Sequence, residues 1–133
     1  MARSDIQSSF KRCETTGDFA DTFYGIFLNT SSEVASMFSA TDFEKQRKLL
    51  RATVLIMVNR DISEPKAAEA LERIGHSHSK TKLDIRPELY ELWLDSLCAT
   101  VKQLDPDWTE ELEQDWRVQM RPGVSLITSL YEQ

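Results

Sequence analysis

Cysteine and long apolar runs are scarce in this sequence, and each scarcity excludes a class of protein. The 133 residues include two cysteines, Cys13 and Cys98, which are isolated and form no Cys-x-x-Cys pair. They favour a reduced pair of packing residues over a disulfide, and they exclude a paired-cysteine metal site. No apolar run approaches the roughly 20 residues that a membrane span requires. Because the start, MARSDIQSSF, also lacks the apolar core of a secretory signal, we expect a cytoplasmic protein.

Positive charge and glycine are also in short supply. There are 16 lysines and arginines against 22 aspartates and glutamates, which gives a formal net charge of −6. This balance argues against non-specific binding to nucleic acid or to anionic membranes, since both require a basic surface. The four glycines form no glycine-rich nucleotide loop. The length predicts one domain, residues 1–133, that is large enough for its own core.

The sequence is rich in helical periodicity. No stretch alternates convincingly as a strand would, so we predict an all-α fold of seven or eight helices. Thr41-x-x-Glu44 and Asp107-x-x-Glu110 have the spacing of helix capping boxes, and Pro122 predicts a kink in the last helix. The clearest apolar stripes are Phe19, Phe23 and Phe27; then Phe43, Gln46, Leu50, Val54 and Met57; and finally Trp108, Leu112, Trp116 and Met120.

The two histidines of the chain differ in their predicted orientation. Ala67, Leu71, Ile74 and His78 are spaced four, three and four apart, so they share one apolar helix face. His76 lies about 200° around the same helix, on the face expected to be wet. An imidazole on an apolar stripe is more often a hydrogen-bonded core residue than a metal ligand, and the spacing alone leaves both interpretations open.

A second helix start follows the inward-facing histidine. After His78 comes a polar linker, SKTKLD, and then Pro87-Glu88-Leu89-Tyr90, in which Pro87 suits the first turn of a helix. A histidine at the end of one helix and a tyrosine at the start of the next resemble the proximal side of a bacterial globin, of the type found in the haem domain of flavohaemoglobins. The resemblance implies the 3-on-3 globin fold and covers about residues 19–131.

The resemblance also implies a haem b site. His78 matches the iron ligand, and Tyr90 matches the tyrosine that hydrogen-bonds on the proximal side. Tyr24, Gln46 and Leu50 match distal residues beside the gas ligand. Without the resemblance, Tyr24 reads as a packing residue with its hydroxyl at the surface, and Gln46 as the polar edge of a stripe. The other haem-contacting residues that we expect are Phe38, Leu50, Val54, Ile74 and Ile85.

The chemistry of a haem-bound gas explains these residue types. A tyrosine hydroxyl and a glutamine amide both donate hydrogen bonds, and a donor to a charged group contributes roughly 1.5–3 kcal/mol. Two such donors slow ligand loss by about two or three orders of magnitude. We therefore predict tight dioxygen binding with slow release, at an iron that also binds nitric oxide and carbon monoxide.

Several peripheral assignments follow from the same resemblance. Glu132 is roughly where a carboxylate would complete a His78–Tyr90 network. Arg47, Lys80 and Lys82 are candidates to pair with haem propionates, and each is equally well explained as solvated charge. Trp93, Trp108 and Trp116 are expected in the core.

The activity is less constrained than the ligand. The resemblance implies that nitric oxide dioxygenation is a possible activity of this protein. Flavohaemoglobins carry the electron-donating reductase in the same chain, whereas here we expect a reductase that acts in trans. The alternative is a globin-fold interaction or sensor module without haem, which the presence of His78 disfavours. A helical bundle unrelated to globins would leave the matched positions to chance.

Overall fold

The computed structural model describes residues 2–132, and within that range it contains seven α-helices and no strand. The all-α prediction is confirmed. The helices are α1 (Ala2–Thr16), α2 (Phe19–Phe27), α3 (Ser32–Met37), α4 (Phe43–Asn59), α5 (Pro65–Ser77), α6 (Leu89–Leu104) and α7 (Glu110–Ser129). No helix in the described residues is both long enough and apolar enough to cross a membrane.

Each long helix buries the apolar stripe that its sequence predicts. Helix α2 packs on α6, α5 packs on α7, and α1 contacts both α6 and α7. Helix α4 crosses α1, α2 and α7. Phe23, Val54 and Trp116 are wholly removed from solvent, and each such side chain contributes about 1.5–3 kcal/mol by its burial. The two cysteines are buried and free, as predicted.

Two glycines allow neighbouring helices to approach each other closely. A Cβ on Gly75 in α5 would lie 2.7 Å from Leu130 Cδ1, just after α7. A Cβ on Gly123 in α7 would lie 2.7 Å from Met57 Cε of α4. Real Cβ atoms do not approach neighbours so closely, so both helix contacts depend on the missing side chain.

A buried polar cluster joins α1 to the end of α6 and to α7. Asp105 accepts hydrogen bonds from Ser9 Oγ at 2.6 Å and from Arg12 Nε at 2.7 Å, and Trp116 Nε1 donates to Ser9 Oγ at 2.9 Å. Burial alone would raise the pKa of the Asp105 carboxyl, but the hydrogen bonds from Arg12 and Ser9 outweigh it and hold the pKa below its usual range. The carboxylate therefore stays charged and fixes the helix ends.

The predicted helix starts differ from those of the structure by one or two residues. Helix α4 is capped by Asp42, whose Oδ1 accepts from the backbone of Glu44 at 3.1 Å, and not by Thr41. Helix α7 is capped by Thr109, which accepts from Leu112 at 3.0 Å, and not by Asp107. In each case the residue directly before the first helical residue supplies the oxygen that accepts from the unpaired N–H groups of the first turn.

Candidate functional site

A cavity of about 620 Å³ lies between α4 and α5, with further walls from α2, α3, α6 and α7. This volume is within the range of cofactor sites. The walls are mostly apolar, and the polar groups among them are few. Of the residues that the sequence assigned to the site, the cavity brings together Tyr24, Phe38, Gln46, Leu50, Ile74, His78, Ile85 and Tyr90.

The proximal pair is His78 and Tyr90. His78 is the C-cap residue that directly follows α5, and its Nδ1 lies 2.7 Å from the hydroxyl oxygen of Tyr90 in the first turn of α6. Burial lowers the pKa of the His78 imidazole and raises the pKa of the Tyr90 phenol, because both charged forms lose solvation. The pair is therefore a neutral imidazole beside a neutral phenol, and Nε2 is left for another partner.

The linker between α5 and α6 is held by hydrogen bonds from both sides. Ile85 N donates to the His78 carbonyl at 2.9 Å, and Lys80 N donates to the Tyr131 carbonyl at 2.7 Å. Asp84 has a left-handed backbone with φ 53°, and its side chain accepts a hydrogen bond from the Tyr131 hydroxyl. The turn that follows α7 thus clamps the segment that carries His78 and Ile85.

The distal pair is Tyr24 and Gln46. Tyr24 on α2 is 6% exposed, and its hydroxyl oxygen accepts a hydrogen bond from Gln46 Nε2 of α4 at 3.0 Å. The interpretation of a surface hydroxyl at Tyr24 is wrong for this structure. Burial raises the pKa of Tyr24 to about 12, against a lowering effect of the Gln46 hydrogen bond, so the phenol keeps its proton. Since Gln46 uses the oxygen, the Tyr24 O–H remains available to donate.

Aromatic rings hold the distal tyrosine in place. The Tyr24 ring meets Phe38 and Phe43 edge-on, with centroid distances of 5.6 and 5.5 Å. Phe38 follows α3 directly and also meets Phe27 at 6.0 Å. Edge-to-face packing of this kind restricts ring rotation. Phe38 therefore lines the cavity and at the same time packs against the ring that carries the Tyr24 hydroxyl.

Some expected residues lie outside the cavity wall. Val54 is wholly buried in the core and is not among the lining residues. Glu132 is exposed and lies 4.0 Å from Lys80, so it does not complete the proximal pair. Arg47 pairs with Asp21 at 3.3 Å. His76 and Lys82 are exposed and line no part of this cavity.

Residues that sequence reasoning missed complete the wall. Arg73 and Ser77 of α5 directly precede Ile74 and His78 in the sequence, so they lie beside the apolar stripe. A prediction that included the residues next to this stripe would have identified them. Trp93 was expected in the core, and it lines the cavity as well as packing on the core. Further lining residues are Phe27, Met37, Thr41, Leu49, Thr53, Met57, Ala70, Leu83, Leu89, Val124 and Ile127.

The opening of the cavity is marked by lining residues that solvent also reaches. Leu49 of α4 is 53% exposed and Leu83 of the linker is 64% exposed. Arg73 and Ser77 are exposed on the α5 side. The cavity thus has mostly apolar walls that also hold the two hydrogen-bonded pairs, and Arg73 is the exposed cation among the described residues that line it.

The donor set fits haem better than a bare metal ion. In the described part of the chain, no group of three or more histidine, cysteine or acidic side chains could hold a metal ion. A single neutral imidazole, oriented through its second nitrogen, is instead what an iron porphyrin requires of its protein. The apolar walls suit the porphyrin faces, and Tyr24 with Gln46 supplies polar donors elsewhere in the wall.

Comparison with known proteins gives one match in the solved structures. No protein-family model matches the chain, and no curated protein does. The crystal structure of PA3967 from Pseudomonas aeruginosa PAO1, described as structurally highly homologous to a human haemoglobin, superposes with a TM-score of 0.90. The two sequences are 36% identical, and the alignment covers 100% of each chain. Because this likeness extends over the whole of both chains, this chain belongs to the globin family.

Proposed function

We propose that this chain binds haem b with His78 as the iron ligand, and that it reversibly binds dioxygen, nitric oxide and carbon monoxide. One observation carries the proposal: two hydrogen-bonded pairs, His78 with Tyr90 and Tyr24 with Gln46, lie in the wall of one apolar cavity. Bound haem would supply the iron that takes a diatomic gas, with His78 as its protein ligand. The likeness to a structure described as homologous to a haemoglobin supports the same function.

On the proximal side, the protein sets the tautomer and the orientation of the ligand. When Nε2 serves as the donor to a metal, the neutral ring carries its proton on Nδ1, which then donates to the Tyr90 hydroxyl 2.7 Å away. Burial keeps the ring uncharged by lowering its pKa. The Lys80 N–H donates to the Tyr131 carbonyl, and the Tyr131 hydroxyl donates to Asp84. These two hydrogen bonds limit movement of the linker that follows His78.

On the distal side, the protein supplies a directed hydrogen-bond donor. Gln46 donates to the Tyr24 oxygen, so the single Tyr24 proton is free for a gas molecule. Leu50 and Phe38 also line this cavity, and apolar side chains of this kind disfavour water there. In such a place a hydrogen bond to a partly charged ligand is stronger than in water, which supports slow release of dioxygen.

Visible absorption spectroscopy tests the proposal directly. Purified protein is titrated with haem, reduced with dithionite and then exposed to carbon monoxide. We expect an intense Soret band at one haem per chain that shifts at each step. His78→Ala should lose or alter this band, and His76→Ala is the matched control because His76 is exposed on the same helix.

A negative result has a definite meaning. If the wild type takes up no haem at any ratio, the gas-binding proposal fails, and a globin-shaped interaction or sensor module remains. If His76→Ala changes the spectrum and His78→Ala does not, the cofactor assignment survives but the iron ligand is wrong.

Nitric oxide dioxygenation with an external reductase is the activity that we infer next. Conversion of nitric oxide to nitrate, followed over many turnovers with a generic electron donor, would measure it. A rate no faster than that of an ordinary oxygen-carrying globin would leave ligand binding alone. The cytoplasmic location and the single-domain organisation stay predictions from the sequence.

A further inference from the structure

We propose that the ion pair between Asp21 and Arg47 holds α2 and α4 at the separation that lets Gln46 bond to Tyr24, and that it thereby sets the rate of gas release. Neither member of the ion pair lines the cavity of the proposed haem site, which is called the site cavity below. The inference rests on the proposed function and adds two positioning residues to it.

Two polar contacts that join α2 to α4 use residues that are close neighbours in the chain. Arg47 Nη1 lies 3.3 Å from Asp21 Oδ1. Gln46 Nε2 lies 3.0 Å from the Tyr24 hydroxyl oxygen. Arg47 directly follows Gln46 on α4. Asp21 precedes Tyr24 by about one turn of α2. Because each helix carries one member of both contacts, a change in the separation of the helices acts on both.

The hydrogen bond in the wall of the site cavity is the more sensitive of the two contacts. A hydrogen bond between nitrogen and oxygen weakens beyond about 3.2 Å, so a small outward shift of α4 would weaken the bond from Gln46. The attraction between two charges falls off gradually and persists over such a shift. The attraction between Arg47 and Asp21 therefore opposes the displacement that the Gln46 bond tolerates least.

Solvent and dissolved ions reach the ion pair from a different face of α4. Arg47 lines a second, open cavity of about 640 Å³ that is bounded by α1, α2 and α4. The Arg47 side chain is 37% exposed, and that of Asp21 is 60% exposed. An exposed pair of this kind is weak and is screened by salt. The ionic strength of the solution should therefore affect the distal donor without any ion entering the site cavity.

A second ion pair that borders the open cavity provides a matched control. Arg51, about one turn after Arg47, donates two hydrogen bonds to Glu14 of α1, at 2.5 and 3.1 Å. This pair joins α4 to α1, none of whose described residues lines the site cavity. Its loss should lower stability without changing the contact between Tyr24 and Gln46.

The first measurement is dioxygen release from the haem-loaded protein. Stopped-flow displacement of dioxygen by carbon monoxide gives the rates for the wild type, Asp21→Asn, Arg47→Gln and their double variant. The same changes are also made in a Tyr24→Phe background, and Glu14→Gln is the control. Each rate is measured at ionic strengths from about 0.01 M to about 1 M, over which the screening length falls from about 30 Å to about 3 Å.

The second measurement follows the Gln46 hydrogen bond itself. NMR of the glutamine side-chain amides is recorded on the full chain, first as purified and then after it is loaded with haem and carbon monoxide. Gln119 Nε2 donates to the Met57 carbonyl at 2.9 Å and is the internal reference. This readout does not require a bound gas, so it separates the positioning of Gln46 from the function of the site.

We expect Asp21→Asn and Arg47→Gln each to speed dioxygen release about two- to fivefold, the range open to an exposed ion pair. The double variant should match the single variants, because both remove one contact. Neither change should alter the rate in the Tyr24→Phe background. Added salt should speed release in the wild type but not in Asp21→Asn. The Gln46 amide signal should move in both variants, and Glu14→Gln should behave as the wild type does.

Three outcomes would overturn the assignment. If Arg47→Gln speeds release and Asp21→Asn does not, Arg47 acts through another contact. If Glu14→Gln speeds release as much as Asp21→Asn, the cause is a general loosening of α4. If the Gln46 amide signal is the same in Asp21→Asn as in the wild type, the pair does not position the distal donor.

Failure of the proposed function gives a different result. A wild type that takes up no haem would refute the gas-binding proposal, and with it the effect of the ion pair on gas release. The amide signals of the purified chain would still decide whether Asp21 and Arg47 position Tyr24 and Gln46.

Discussion

The hydrogen bond between Tyr24 and Gln46 predicts a specific pattern of dioxygen release rates. Because Gln46 donates to the Tyr24 oxygen at 3.0 Å, the Tyr24 hydroxyl is the donor that would reach the gas in the proposed site. Removal of a donor to a partly charged ligand costs about 1.5–3 kcal/mol, so Tyr24→Phe should speed dioxygen release about 10- to 150-fold. Gln46→Leu loses only a bond between neutral groups and should speed release by about tenfold or less.

The double variant decides between two arrangements. If Gln46 acts by positioning Tyr24, the double variant should release dioxygen at about the rate of Tyr24→Phe alone. Stopped-flow displacement of dioxygen by carbon monoxide measures all four rates. If the two effects multiply, Gln46 contacts the gas independently and the hydrogen-bond direction seen here is not the one that governs release. If Tyr24→Phe leaves the rate unchanged, the distal assignment itself is wrong.

Three further predictions concern the scaffold around the site. Tyr131→Phe removes the hydroxyl that donates to Asp84, so it should speed haem loss a few-fold, measured by transfer to a scavenger, with little change in the release of dioxygen. Asp105→Asn should lower the free energy of unfolding, measured with urea, by about 1–3 kcal/mol at pH 7. Because folding lowers the pKa of Asp105, the difference between the variant and the wild type should shrink as the pH falls below about 4. Gly75→Ala should destabilise by about 1 kcal/mol because its Cβ would lie 2.7 Å from a side chain of the last turn, whereas Gly25→Ala, with nothing within 4 Å, should stabilise by up to about 1 kcal/mol. Equal effects of the two glycine variants on urea unfolding would contradict the packing argument.

Periodicity was a sufficient guide to the helices and to much of the cavity wall. The steps of three and four that place Leu50 and His78 inward are a property of the helix itself, so they transfer directly from sequence to structure. The resemblance then related residues that lie far apart in the chain. Tyr24 and Gln46 are separated by 22 positions, and no local pattern indicates that their side chains meet.

Features set by packing between helices could not be predicted in this way. Val54 shares a stripe with Leu50, yet the crossing of α4 with its neighbours turns it into the core and away from the cavity. Arg73 lies beside the apolar face of α5, and only the position of α4 shows that it reaches an opening. The helix starts at Asp42 and Thr109 depend on which of several nearby oxygens meets the unpaired N–H groups.

The proximal pair bears on what the proposed haem site would do with a bound gas. A carboxylate behind a ligating histidine makes the ring more basic, and Glu132 was the candidate for that position. In the described residues the Tyr90 hydroxyl has one hydrogen-bond partner, His78, and Glu132 lies beside Lys80. Burial also raises the pKa of Tyr90, so the phenol stays protonated and is a weak acceptor for the Nδ1 proton.

The pair therefore orients His78 without giving it anionic character, which favours holding a gas over activating it. We expect the iron–histidine stretching frequency of the reduced protein, measured by resonance Raman spectroscopy, to be that of a neutral imidazole. Tyr90→Phe should broaden this band, because the ring loses its orienting partner, but should move its centre little. A frequency in the range of an imidazolate ligand, lowered by Tyr90→Phe, would contradict this reasoning and would favour oxygen-activating chemistry.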